Sequence, residues 1–176
     1  MEQFLQQLIN GISLGSIYAL LALGYTMVYG ILKLINFAHC DVYMIGAYVG
    51  YFCMTFLKLG LLPSLVLAML VCLLLGVAIE RIAYKPLRNS ARITVLITAI
   101  GVSLFLEYTM MFFVKAKVRS YPPMEGLMAK SFNIGDLVIT VQQIIIVIIT
   151  IALMILLQFI VKQTKMGKAM RAVSLD

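Results

Sequence analysis

Residues 61–79 read LLPSLVLAMLVCLLLGVAI, a run of 19 residues with no charged side chain. A helix needs about 20 apolar residues to cross the hydrocarbon core of a bilayer. The apolar positions are continuous, not alternating at period two, so the run reads as a membrane helix and not as a barrel strand. Outward from it, runs of the same character occupy 5–29, 93–114 and 141–161. A shorter one, 42–57, reaches crossing length only if its helix begins inside the polar stretch before it. The expectation is an all-α, polytopic integral membrane protein of about five transmembrane helices, with a polar break between the first two and 1–176 forming a single membrane domain.

Composition points the same way, with 63% of the 176 residues hydrophobic and 12% charged, against about 45–50% and 25% in soluble domains. Hydrophobic segments recur to the end of the chain, unlike a cleaved leader before a soluble body. A net charge of +7 would suggest nucleic acid in a soluble protein. In a membrane protein it is loop charge that meets anionic lipid and sets orientation, so the expected partner is membrane lipid and no nucleic acid.

Arg81, Lys85, Arg88 and Arg92 crowd the loop 80–92, and Lys162, Lys165, Lys168 and Arg171 the tail 162–176. Both read as cytoplasmic by the positive-inside rule, and the two spans between them return the chain to one side. The segment 115–140 then faces outward, where Lys115, Lys117, Arg119 and Lys130 are offset by Glu125 and Asp136. Pro122-Pro123 and Gly126 interrupt helix and strand alike, so this segment reads as an ordered external loop. Counting back through the spans places the N-terminus outside and the C-terminus in the cytoplasm.

The polar break is Asn36-Phe37-Ala38-His39-Cys40-Asp41. Irregular polar chain persists inside a bilayer only where protein or a water-filled cavity satisfies it. Two readings compete. Asn36, His39 and Asp41 line a substrate path, or Asn36 or Asp41 caps the helix that starts near residue 42, where an acid also suits the helix dipole. Consecutive residues on a helix diverge, so His39, Cys40 and Asp41 do not converge on one metal ion or one proton. The chain has 1 His, and it lacks HExxH and GxSxG, so no catalytic residue, metal or cofactor is expected. Cys53 and Cys72, with no CxxC pairing, read as small buried hydrophobes.

Glu107 lies deep in the run 93–114, either as a contact along a substrate path or as a carboxyl near the outer interface, hydrogen-bonded or protonated. Gly11 with Gly15 and Gly46 with Gly50 are small-xxx-small pairs that let helix backbones approach closely. Gln142, Gln143 and Gln158 sit near the ends of the last run and read as interfacial, while Glu80-Arg81 reads as an anchor at the inner end of 61–79. There is no GxxxxGK[ST] loop, so energy from nucleotide would come from another chain.

Taken in order, Gly15-Ser16-Ile17-Tyr18-Ala19-Leu20, Gly24-Tyr25-Thr26-Met27-Val28-Tyr29-Gly30, Ile35 to Asp41, Tyr43-Met44-Ile45-Gly46-Ala47-Tyr48, Ile79 to Arg88, Ile97-Thr98-Ala99-Ile100-Gly101 and Met166 to Ala172 resemble the branched-chain amino-acid ABC transporter permeases. The resemblance covers essentially the whole chain. It implies a permease subunit in the bacterial inner membrane that works with a second related permease, cytoplasmic ATPase subunits and a periplasmic amino-acid-binding protein. It also implies that Met166, Gly167, Arg171 and Asp176 lie on the approach to the segment that couples to the ATPase. Two departures stand out. Cys40 occupies a position where the family pattern carries Gly, and family members extend well beyond 176 residues, as expected if this is the N-terminal half of a longer permease. Against this stand a small helical channel or structural membrane protein that oligomerises through the glycine faces, and an intramembrane enzyme using His39 and Asp41.

Overall fold

The computed structural model describes residues 2–32, 35–87, 90–115, 117–123, 130–134, 137–165, 167–168, 170 and 172, with backbone only for 2, 31, 32, 92, 133 and 134. Met166, Arg171 and Asp176 lie outside the described residues, as do Arg88, Glu125, Gly126 and Asp136. Among the described residues five α-helices carry the chain: α1 Glu2–Leu32, α2 His39–Thr55, α3 Leu61–Ile79, α4 Arg92–Val114 and α5 Val141–Gln163. Four helical stretches, Gln3–Gly30, Leu61–Leu87, Ile93–Val114 and Val141–Gln163, are long and apolar enough to cross a membrane. At 17 residues, α2 measures about 25 Å, a little under the roughly 30 Å of a hydrocarbon core.

The helices fall into two compact units, a contiguous one of Leu34–Pro122 and a composite one of Met1–Lys33 with Pro123–Asp176. In the contiguous unit α2 and α3 lie close because small residues meet. Ser64 and Ala68 are buried one turn apart on α3, and Gly50 and Cys53 on α2. A Cβ built on Gly46 would come 2.6 Å from Cys72 Sγ, so that glycine sets the approach. Pro63 sits in the first turn of α3, where a missing N–H costs nothing, and the Ser64 hydroxyl donates back to the Gly60 carbonyl at 2.9 Å.

At its C-terminal end α3 widens into a π turn, Glu80–Tyr84, then tightens into a 3-10 turn, Lys85–Leu87, which contains Pro86. A π turn inserted at a helix end rotates the chain beyond it, and here it brings Ala83 and Tyr84 against the core of Ala38, Ile79 and Leu106. Val42 and Ile45 of α2, Leu75 of α3 and Val102 of α4 complete that cluster.

In the composite unit α1 packs on α5, with Ser13 and Thr150 buried. The expected external loop contains a hairpin, β1 Ser131–Ile134 paired antiparallel with β2 Leu137–Thr140, in register Ser131↔Thr140 through Ile134↔Leu137. Strands of four residues are marginal on their own, and a side chain 132 positions away steadies this pair. The Gln6 amide donates to the Val138 carbonyl and accepts from the Val138 N–H, both at 2.9 Å. Gln143, expected only to sit at the interface, forms a capping box with Thr140 at the start of α5 and donates to Asn10 Oδ1 at 2.9 Å.

Candidate functional site

The polar break is short. Backbone bonds from His39 N–H to the Asn36 carbonyl at 3.3 Å and from Val42 N–H to the Ala38 carbonyl at 3.0 Å start α2 at His39, ahead of the expected start near 42. Its N-cap is Ala38, with no side chain bonded to the cap. The capping reading of Asn36 and Asp41 therefore gives way, because both side chains are engaged elsewhere. Asn36 Oδ1 accepts from the Tyr84 hydroxyl at 2.7 Å, and Asp41 Oδ2 accepts from the Ser103 hydroxyl at 2.5 Å. Asp41 still sits in the first turn of α2, where the dipole favours it.

These two bonds join the break to the π turn after α3 and to the middle of α4. Each replaces water for a polar group that would otherwise face hydrocarbon. His39 is half-buried in the same first turn, and Cys40 beside it is exposed. Non-glycine residues with positive φ are Lys58 and Lys115 among the described residues, so Cys40 holds an ordinary helical backbone where the family pattern has Gly. Glu107 is exposed on α4, one turn beyond Ser103, and no partner for it lies among the described residues.

At the far end of α2 the chain after α4 folds back onto the helix. The Arg119 guanidinium donates to the Val114 carbonyl at 3.0 Å and lies 5.7 Å from the Tyr51 ring centre and 5.8 Å from that of Phe52. The Tyr121 hydroxyl donates to the Ala47 carbonyl at 2.6 Å, and its ring meets Tyr51 edge-on at 6.0 Å. Gly50 makes room, since a Cβ there would sit 3.1 Å from the Tyr121 hydroxyl. Burial pushes the Tyr121 phenol above its ordinary range, the nearby Tyr43 phenol adds to this, and a backbone contact at Tyr51 opposes it. The sequence pattern marked Arg119 only as loop charge and gave no role to Tyr121, Tyr84 or Ser103.

In the composite unit a cleft of about 570 Å³ lies between α1 and α5, lined by Leu23, Met27, Ile151, Met154, Ile155 and Leu157, with Thr26 and Gln158 as its polar members. A Cβ on either Gly11 or Gly15 would meet nothing within 4 Å. Gly167 is the opposite case. It is buried just past α5, its N–H donates to Thr164 Oγ1 at 3.2 Å, and a Cβ there would collide with the Val161 carbonyl oxygen. Only glycine permits that approach of backbone to backbone.

Residues 7–176 match the family model described as the branched-chain amino acid transport system permease component. The chain is 41% identical over 186 aligned positions to the high-affinity branched-chain amino acid transport system permease protein BraD of Pseudomonas aeruginosa, covering 98% of this chain and 60% of that protein. It is 40% identical to the corresponding LivH proteins of Salmonella typhimurium and Escherichia coli K12, over 98% of this chain and 59% of each. The chain thus spans about three-fifths of the length of these relatives. No solved structure matches it. With the family model matching almost every residue and the apolar helices in place, the chain belongs to the branched-chain amino acid transport permeases, a family of multi-pass membrane proteins.

Proposed function

We propose that this chain is a permease subunit of an ATP-binding-cassette importer for branched-chain amino acids or related amino acids and amides, and forms part of the route through the membrane. The observation that carries this reading is the 40–41% identity to transport permeases over 98% of the chain. It sits in the bacterial inner membrane with its N-terminus outside and C-terminus inside, as a single membrane domain with spans near 5–29, 42–57, 61–79, 93–114 and 141–161. The short α2 serves as the fifth crossing with the break completing its length. Transport, not catalysis, is its role, and ATP is hydrolysed on separate cytoplasmic subunits. A second related permease and a periplasmic binding protein complete the assembly.

Within this reading Asn36 and Asp41 hold the break in shape through Tyr84 and Ser103, while His39 and Glu107 are candidates to meet substrate. Gly11 and Gly15 offer an open backbone face to a neighbouring helix. Met166, Gly167, Arg171 and Asp176 belong to the approach to the ATPase, with Gly167 fixing the turn that leaves α5. Tagged chain extracted from its native membrane should bring down a second permease and an ATPase. Recovery as a homo-oligomer alone would count against the importer.

A further inference from the structure

Positions 39, 43, 47 and 51 are four residues apart and so lie on one face of α2. The opposite side of the helix is apolar and packed: Val42 and Ile45 rest on the core of Ala38, Ile79 and Leu106. The face of 39 to 51 is different in kind. It begins with the half-buried imidazole of His39, continues with Tyr43, which is 50% exposed, and reaches the Ala47 carbonyl, where Tyr121 places its hydroxyl. Above lie the Tyr51 ring and the guanidinium of Arg119, which spends one donor on Val114 and keeps others exposed.

An interfacial tyrosine ordinarily turns its hydroxyl toward water at the membrane surface. Tyr121 instead spends it on the Ala47 carbonyl of α2. Phenols, imidazole and guanidinium in a row are costly against lipid tails and suit water or a polar ligand. Asp41 is on another face, tied to Ser103, so the row carries no carboxylate among the described residues.

We infer that the face formed by His39, Tyr43, Ala47 and Tyr51, closed at its outer end by Tyr121 and Arg119, walls a water-filled column that takes a zwitterionic amino acid with an apolar side chain. This rests on the transporter reading above. The chemistry matches the ligand group by group. Free guanidinium and hydroxyl donors meet the carboxylate, ring faces meet the ammonium group, and the ring edges and Ala47 leave room for an aliphatic side chain.

The test is cysteine accessibility in cells that express the chain with its transport partners, after Cys40, Cys53 and Cys72 are replaced by alanine. Tyr43→Cys, Ala47→Cys and Tyr51→Cys should react with a membrane-impermeant methanethiosulfonate added outside, Ile45→Cys should not, and reaction at 43 or 47 should abolish leucine uptake. If the three face positions stay unreactive in cells that import leucine, the column is wrong and the importer stands. If they react and leucine is neither imported nor protects them, the ligand assignment falls with the transport reading while a wet face remains. Reaction of Ile45→Cys equal to the others would overturn the one-sided wall.

Discussion

At the scale of single residues, the polar groups of the break act as ties. Removing the Ser103 hydroxyl leaves Asp41 without its donor in a site where water is scarce, at a cost of about 1–3 kcal/mol. Ser103→Ala should therefore lower the thermal unfolding temperature in detergent, and Asp41→Leu in the same chain should recover part of the loss, a coupling that a double-mutant cycle measures. The glycines separate by what surrounds them. Gly167→Ala drives a methyl group into the Val161 carbonyl, while Gly101→Ala meets nothing within 4 Å. The first should reduce the yield of folded protein sharply, and the second should leave yield and melting unchanged. Both glycines stand in family-like motifs, so the sequence marked them equally. The backbone contact that distinguishes them appears only once residues 161 and 167 are brought together.

At the scale of elements, the helices were legible and their ties were not. An apolar run in a bilayer has to satisfy its own backbone, and a helix does this locally, so α1, α3, α4 and α5 follow from composition alone. The partners of Asn36 and Asp41 are 48 and 62 residues distant, and no local pattern encodes them. The hairpin escapes a sequence reading for the same reason. Its strands have four residues each and depend on Gln6, far off in sequence. Gln6→Leu should speed hydrogen exchange at the Val138 N–H while sparing the interior of α3. Thr140→Ala removes the capping box of α5 and should cost about 1 kcal/mol, seen as fraying of its first turn in the same experiment.

At the scale of the whole molecule, the division into a contiguous and a composite unit separates two kinds of cohesion. The contiguous unit closes its core within one uninterrupted stretch of chain, between Ala38 and Leu106. The composite unit closes between α1 and the stretch of β2 and α5, through Gln6 with Val138 and Asn10 with Gln143. The division has a consequence for how the chain is made. As it leaves the ribosome, everything the contiguous unit needs has been synthesised by residue 122, whereas α1 must wait for α5. In nascent chains stalled with just enough linker to expose residue 122, Gly46→Cys should crosslink to the native Cys72, and a Gln6→Cys, Val138→Cys pair should crosslink only after α5 has emerged. Until then the first helix sits in the membrane with the amides of Gln6 and Asn10 lacking their later partners. Its assembly thus depends on whatever holds a lone, partly polar helix in place during translation.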